Sequence, residues 1–188
     1  MVELSGVSFG YQSDKNVLDN LNLRMEEGRF YGLLGMNGSG KTTLLKLIAG
    51  KLFAHGGEIY VDGRNLRERD VETLQKVFML PADFIFPNMS LEQFLAIYSE
   101  FYPEFRKEVL NDCLVNFEIQ RDIKNLNQLS LGEKHKVAFS IALSLGTKIV
   151  LLDEAANGMD IPARKMFRKL LMKHVREDQI VVLSTHIV

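Results

Sequence analysis

The stretch Gly35-Met36-Asn37-Gly38-Ser39-Gly40-Lys41-Thr42 decides how the rest of the chain is interpreted. It matches the pattern G-x-x-x-x-G-K-[S/T] and stands between an apolar strand-like run and a helical run over residues 42–49. In this pattern glycines let backbone N–H groups surround phosphate oxygens, and the N-terminus of the helix adds a positive dipole end. Lys41 would neutralise the β- and γ-phosphates, and the Thr42 hydroxyl can ligate Mg²⁺. The pattern favours a nucleoside triphosphate site over a chance glycine-rich turn, but kinases, GTPases and motors share it.

The apolar pattern around this stretch predicts an α/β fold. Four short apolar runs are separated by segments of helical period, which is typical of buried strands in a largely parallel core sheet. They cover residues 29–34, 77–80, 149–152 and 180–183. Three other segments alternate apolar and polar residues and predict an antiparallel β portion. These cover residues 2–9, 17–25 and 57–62.

A long helical stretch interrupts the strand pattern. Two sets of apolar residues in it have the spacing of one buried helix face. The sets are Leu91, Phe94, Leu95 and Tyr98, and Val109, Leu110, Cys113, Leu114 and Phe117. We therefore expect one domain over residues 1–188, with a helical subdomain at about residues 84–146 inserted into it.

Composition limits the possible partners and compartment. The 188 residues carry a formal net charge of -1, so no overall basic field favours nucleic acid or an anionic membrane surface. The single cysteine, Cys113, excludes an internal disulfide and is expected to be a small buried hydrophobe in a reducing cytoplasm. No signal pattern or run of about 20 apolar residues is present, which favours a soluble chain.

Two acids and a histidine follow predicted strands. Asp153 and Glu154 come directly after the apolar run 149–152, at the edge where open α/β sheets bind ligands. Asp153 would hold Mg²⁺ through water, and Glu154 could accept a proton from an attacking water. The alternative is that these acids cap the following helix. His186 follows the run 180–183, where a lone histidine is ordinarily a solvated turn residue.

Leu129-Ser130-Leu131-Gly132-Glu133 precedes the acid pair by some two dozen residues. Ser130 and Glu133 have the spacing of a capping box, which predicts that a helix begins at this segment with its positive end open to an anion. The segment also resembles the signature LSGGQ of the ATP-binding-cassette (ABC) family. With it, the order of motifs along essentially the whole chain resembles the cassette of an ABC transporter.

The resemblance implies the family's fold, with an F1-like α/β core, an antiparallel β portion and a helical subdomain. It also implies ATP and Mg²⁺ as cofactors and roles for individual residues. Tyr11 would stack on adenine, although the alternative is that it is an aromatic residue of the core. Asp153 resembles a Walker B aspartate, and Asp160 would belong to a D-loop. His186 would be a switch histidine that assists catalysis by Glu154. The other ATP-binding residues implied are Gly35, Asn37, Gly38, Ser39, Gly40, Lys41, Thr42 and Thr43.

The resemblance further implies partners and a location. Two cassettes would pair head to tail, with Ser130, Gly132 and Glu133 of one facing the ATP held by the other. A separate membrane-spanning permease would bind the pair, at the cytoplasmic face of the cell membrane. No nucleic acid partner is expected. The short length and the Leu-Ser-Leu-Gly signature are more similar to bacterial exporter cassettes than to importers.

The chain departs from the family pattern at several positions. Ala82 and Asp83 stand where the family usually has a glutamine that contacts Mg²⁺ and the attacking water. Leu131 replaces a signature glycine, and Glu133 replaces the signature glutamine. The chain ends at Val188, whereas family members commonly continue, so we expect a truncated C-terminal end.

Three alternatives compete with a transporter ATPase. A cassette used without transport would be expected to show a coiled-coil insertion, zinc-binding cysteines or a second cassette. A small phosphate-loop kinase would need no signature segment. A nucleotide-sensing cassette with weak hydrolysis is made credible by the missing glutamine, whereas Glu154 argues for hydrolysis.

Overall fold

The computed structural model describes residues 1–12 and 15–185. Its helices and strands fall into two units, each described separately. Residues 1–12, 15–79, 148–154 and 177–185 form the first, and residues 80–147 and 155–176 form the second. The second unit therefore begins before the predicted insertion at residue 84 and also takes the segment 155–176.

The chain's opening strands form an antiparallel sheet in the first unit. Its strands are β1 (Val2–Phe9), β2 (Leu18–Met25), β4 (Gly56–Val61) and β5 (Arg64–Asn65). Their order in the sheet is β2-β1-β4-β5. Alternate residues of β1 are buried, which is the pattern of a strand with one face on a core. The predicted antiparallel portion is confirmed, whereas the two-residue β5 was not predicted.

The second sheet consists of β3 (Arg29–Leu34), β6 (Val77–Leu80), β7 (Ile149–Asp153) and β8 (Ile180–Thr185). Their order in the sheet is β3-β8-β7-β6. β8 pairs in parallel with β3 on one side and with β7 on the other. Because carboxyl ends of parallel strands lie at the same edge, the segments after β3 and β7 come together there. All four predicted core strands are confirmed.

Helix α1 (Lys41–Ile48) follows β3 and buries its apolar face in the core of the first unit. That core also takes Val2 and Leu4 from the antiparallel sheet and Ile149 and Val182 from the parallel sheet. A short helix α2 (Val71–Gln75) precedes β6, capped by the Asp70 side chain. The first unit thus ties the phosphate-loop helix to both sheets through one apolar core.

The second unit is helical. Its helices are α3 (Leu91–Phe101), α4 (Lys107–Asn116), α5 (Leu131–Ser144) and α6 (Ile161–His174). Phe117, Phe139 and Phe167 form a buried row of rings with centroid separations of 6.0 and 4.1 Å. Cys113 is buried as predicted, and burial raises the pKa of its thiol to about 12.

Arg106 links the ends of two helices in the second unit. Its guanidinium donates to the carbonyls of Leu143 at 3.0 Å and His174 at 3.1 Å, in the last turns of α5 and α6. The last carbonyls of a helix lack partners within the helix and carry its negative dipole end, so a cation satisfies both needs.

Within residues 1–12 and 15–185, every helix is too short or too polar to cross a bilayer.

Candidate nucleotide-binding site

The predicted phosphate loop lies between β3 and α1, and residues 34–39 are exposed. Gly38 and Gly40 have φ values of 81° and 92°, in the left-handed region that glycine adopts without strain. A Cβ on Gly35 would lie 2.7 Å from the Ser39 hydroxyl, so a larger residue does not fit there. The loop therefore needs its glycines both for its backbone angles and for its close approach to Ser39.

Lys41 places its amine inside this loop. Its Nζ donates to the carbonyl oxygens of Gly35 at 2.6 Å and Met36 at 3.0 Å. The first backbone N–H groups of a helix have no partners within the helix, and Gly40, at the start of α1, contributes no side-chain cap. The loop thus combines a cation with helix N–H groups, which is the chemistry of a phosphate site.

Asp153 joins this loop to the parallel sheet. It is 1% exposed, and its Oδ2 accepts a hydrogen bond from the Thr42 hydroxyl at 2.7 Å, across 111 positions of sequence. The order β3-β8-β7 brings the two together, because the start of α1 and the end of β7 lie at the same sheet edge. A hydroxyl beside a carboxylate offers the hard oxygen ligands that suit Mg²⁺, which takes few protein ligands and keeps waters or phosphates.

Ser184 is a site residue that the sequence analysis missed. It lies opposite Asp153 in the β7–β8 register, and its hydroxyl donates to Asp153 Oδ1 at 2.5 Å. The same hydroxyl accepts from the Glu154 N–H at 3.0 Å. Its position two residues before His186 was a weak signal, because the pairing depends on strand register. Buried Asp153 is therefore hydrogen-bonded through both carboxylate oxygens.

Glu154 has a strained backbone. Its φ of 49° is in the left-handed region, which costs roughly 1–2 kcal/mol for a residue other than glycine. Besides the Ser184 hydroxyl, its N–H also contacts the Ser184 carbonyl at 3.3 Å. Neither Asp153 nor Glu154 caps a helix, because α6 begins only at Ile161 and is capped by Asp160. The helix-capping alternative for the two acids is therefore wrong.

Tyr11 lies at the surface of the first unit, so the core alternative for it is wrong. Its side chain is 62% exposed, and its ring stands edge-on to Phe9 with centroids 5.1 Å apart. Its hydroxyl shares a 3.2 Å hydrogen bond with the hydroxyl of Thr43 on α1. An exposed aromatic face held close to the phosphate-loop helix is available for stacking.

The predicted signature segment begins α5 in the second unit. Ser130 is the N-cap, and its backbone N–H and hydroxyl both donate to Glu133 Oε2, at 2.9 and 2.7 Å. The Glu133 N–H donates back to the Ser130 hydroxyl at 3.3 Å, which confirms the predicted capping box. The Ser130 hydroxyl and backbone hydrogen bonds hold the pKa of Glu133 below its usual value. Leu131 is 65% exposed.

The remaining predicted residues in the described part of the chain lie at helix starts or on exposed turns. Asp160 accepts from the Ala163 N–H at 2.8 Å as the N-cap of α6. Ala82 and Asp83 lie on an exposed turn after β6. Gly132 lies on the first turn of α5. Asn37 lies at the exposed tip of the phosphate loop. His186 lies outside the described residues.

No cluster of three or more His, Cys, Asp or Glu side chains suited to a metal occurs in the part of the chain described. The hydroxyl–carboxylate pair of Thr42 and Asp153 is a candidate metal site because both groups offer oxygen ligands and lie within hydrogen-bond distance of each other. Together with the phosphate loop and the parallel sheet, it defines the class of the protein as a phosphate-loop nucleoside triphosphatase.

Comparisons with known proteins narrow this class. The family described as ABC transporter matches residues 18–157, and the chain belongs to that family. An ABC transporter ATP-binding protein of Bacillus subtilis, YtrB, is 29% identical over 187 residues. The match covers 99% of this chain and 63% of YtrB, so the chain spans less than two thirds of that relative.

Two solved structures support the same assignment. One, an ATP-binding subunit of an ABC transporter, superposes with a TM-score of 0.89 at 25% identity, covering 100% of this chain and 80% of that one. The other is a dimeric post-hydrolysis ATP-binding cassette bound to ADP and phosphate. It gives a TM-score of 0.83 at 27% identity and covers 99% of this chain and 88% of that one. Both structures are of ATP-binding cassettes, in agreement with the assignment of this chain to the ABC transporter family.

Proposed function

We propose that the chain is the motor subunit of a transporter, with Mg-ATP bound at the phosphate loop and Glu154 as the general base. The observation that carries this proposal is the hydrogen-bonded row Thr42–Asp153–Ser184, which continues to the Glu154 backbone. It links the metal-binding groups to the residue placed for proton transfer. Mg²⁺, when bound, would neutralise phosphate charge beside Thr42 and Asp153.

The individual roles follow from the contacts in the first unit. Lys41 and the loop N–H groups bind the phosphates, and Thr43 aligns Tyr11 through their shared hydrogen bond. The exposed Tyr11 ring stacks on the base, a contact worth about 1–3 kcal/mol where aromatics stack on nucleobases. Asp153 accepts two hydroxyl hydrogen bonds, which fix its side chain in a position to hold the metal. His186 assists catalysis.

The second unit provides the contact with another cassette. The capped N-terminus of α5, with Ser130, Gly132 and Glu133, faces the ATP of a second copy or a related cassette. Two apolar side chains flank this region and are exposed in the single chain, Leu131 at 65% and Ile161 at 72%. An apolar surface beside a polar phosphate contact suits burial by a partner. Asp160 contributes to the same contact as part of the turn before α6.

The cassette pair drives a membrane permease from the cytoplasmic face of the membrane. We expect the transported compound to cross the membrane through this permease. The transported compound is recognised by that protein. The exporter-like signature favours export as the direction.

A dimer assay tests this proposal. Glu154→Gln keeps the shape of the side chain and removes the proton acceptor, so ATP should bind and persist between two cassettes. We expect light scattering after size exclusion to give 21.4 kDa without nucleotide and twice that mass with Mg-ATP. The double variant Lys41→Ala/Glu154→Gln is the matched control and should remain monomeric, because it lacks the phosphate-binding amine.

Two outcomes of this assay would contradict a nucleotide-dependent dimer. If Glu154→Gln binds ATP stoichiometrically and remains monomeric at high protein concentration, the ATP-sandwiched pair is wrong for this chain. If the lysine variant dimerises equally well, the association does not depend on nucleotide.

A further inference from the structure

His135 has one satisfied and one unsatisfied ring nitrogen. It lies in the second turn of α5, two residues after the signature segment, and is 5% exposed. The ring hydrogen-bonds to the backbone of Ala155, and its Nδ1 is buried with no hydrogen-bond partner. The bond to Ala155 is therefore made by Nε2.

This arrangement fixes the tautomer of the ring. Nε2 carries the proton that it donates to Ala155, and Nδ1 carries a lone pair. Burial lowers the pKa of His135, in keeping with a neutral imidazole. A leucine or phenylalanine would fill the same space without burying an unpaired nitrogen, which is unfavourable. What the imidazole supplies beyond volume is the hydrogen bond to Ala155.

The turn containing Ala155 packs closely on α5. Gly158 has a φ of 75°, and a Cβ on it would lie 3.3 Å from Cδ2 of His135. A Cβ on Gly132 would lie 3.5 Å from the carbonyl oxygen of Gly158. The turn of residues 155–158 thus lies against the first two turns of α5, and His135 contributes a hydrogen bond between them.

A third segment contacts the same ring. Phe84, just after the loop positions Ala82 and Asp83, stands edge-on to His135 with centroids 5.2 Å apart. Phe84 also packs on Phe86, at 5.3 Å, and Phe86 packs on Phe94 of α3, at 5.6 Å. Three segments of the second unit therefore meet at one imidazole. They are α5, the turn of residues 155–158 and the loop after β6.

We propose that His135 is a positioning residue for ATP hydrolysis, acting through Ala155 on the orientation of Glu154. Ala155 is the residue directly after Glu154 in the chain, and the Glu154 N–H is held by Ser184 on the other side. Because Ala155 is bonded directly to Glu154, its hydrogen bond to His135 restricts rotation of the peptide group that follows the strained backbone of Glu154. This inference rests on the proposed role of Glu154 as the base.

Three substitutions separate the hydrogen bond from the packing. The amide nitrogen of glutamine reaches approximately as far as Nε2, so His135→Gln can keep the bond to Ala155. Asparagine is too short to reach, and His135→Phe keeps an aromatic ring without a donor. His174→Gln on α6 is a matched control, because it alters a partly buried histidine of the same unit that pairs with Asp112.

The readouts are kcat, the directly measured Kd for Mg-ATP, and hydrogen exchange of the amides in residues 155–160. We expect His135→Gln to keep kcat within about threefold. His135→Asn and His135→Phe should lose about tenfold or more, because small misplacements of reacting groups can cost up to about a hundredfold. The Kd should be unchanged in all three, exchange in residues 155–160 should rise only in the two slow variants, and His174→Gln should keep the parent kcat.

Two results would overturn the inference. If both His135→Asn and His135→Phe keep the parent kcat, His135 contributes only to packing. The same conclusion follows if His135→Gln is as slow as His135→Phe. The role of Glu154 is tested separately by the turnover of Glu154→Gln. If that variant is active, the proposed base is wrong, and exchange of residues 155–160 still reports whether His135 holds the turn.

Discussion

The edge of the parallel sheet in the first unit and the beginning of α5 in the second hold their polar groups in different ways. At the sheet edge, Asp153 is bonded to Thr42 and Ser184, which are 111 and 31 positions away in sequence. At the beginning of α5, Ser130 is bonded to Glu133, three positions away. The first arrangement needs the whole sheet to form, whereas the second needs one turn of helix.

This difference has an energetic consequence. Asp153 is almost completely buried, so loss of one of its donors leaves a desolvated carboxylate oxygen without a partner. The helix-start groups are near solvent, and water can replace a lost bond. Perturbation of the sheet edge should therefore be costly, and perturbation of local helix bonds should be mild.

The largest effect that sharpens this comparison is expected for Ser184→Ala. It removes the donor to Asp153 and the acceptor for the Glu154 N–H together. We expect a loss of about 1–3 kcal/mol in the free energy of unfolding by urea denaturation, which is the range for buried unsatisfied groups. We also expect kcat to fall about tenfold, since misplacing a reacting group commonly costs this much.

The matched control is Ser140→Ala in the second unit. Ser140 is also fully buried, and its hydroxyl donates to the Lys136 carbonyl one turn earlier in α5. This bond is local, so its loss should cost less than Ser184→Ala and leave kcat unchanged. Equal losses of stability in the two alanine variants would contradict the distinction between local and distant bonds.

A gain of function is expected in the loop after β6. Ala82 carries no polar atom, and a carboxylate at Asp83 would oppose charge development on the γ-phosphate if that position faces it. At least one of Ala82→Gln and Asp83→Gln should therefore raise kcat under saturating Mg-ATP, by a few-fold and below the roughly 10²-fold of a full oxyanion donor. If the parent protein has a high kcat and neither variant exceeds it, another residue already orients the water.

The smallest effect concerns a distant bond that lies near solvent. Asp112 on α4 pairs with Lys173 at 2.8 Å and His174 at 2.6 Å on α6. The hydrogen bond from Lys173 outweighs desolvation and, with His174, holds the pKa of Asp112 below its ordinary value. A lowered folded pKa stabilises above the unfolded pKa, near 3.9, and this contribution disappears as pH falls through the folded value.

Asp112→Asn should therefore lower the free energy of unfolding at pH 7 by less than about 1 kcal/mol, the range for exposed pairs. The difference from the parent should be full at pH 7 and shrink below about pH 4. Asp122→Asn is the control, because Asp122 and its partner Lys124 are largely exposed and their pair should contribute nothing measurable. A stability difference that grew on acidification would contradict the stabilising role of the ionised Asp112.

The same contrast explains what could be predicted from sequence. The phosphate loop, the Ser130–Glu133 capping box and the strand after which Asp153 lies depend on local pattern, and all were predicted. Ser184 and His135 were missed because their roles depend on the strand register and on the close approach of a turn to α5. Neither leaves a periodic signal. Tyr11 was undecided between core and surface because one aromatic residue in a short segment has no period.

The division of roles between Asp153 and Glu154 is the central claim, and one paired measurement tests it most directly. Kd and kcat for Mg-ATP are measured for the parent, Glu154→Gln and Asp153→Asn. We predict that Glu154→Gln keeps the Kd and loses roughly 10²- to 10⁴-fold in kcat, the range for removal of a general base. Asp153→Asn should instead weaken the Mg²⁺-dependent part of ATP binding. Turnover of Glu154→Gln within a few-fold of the parent would contradict the account.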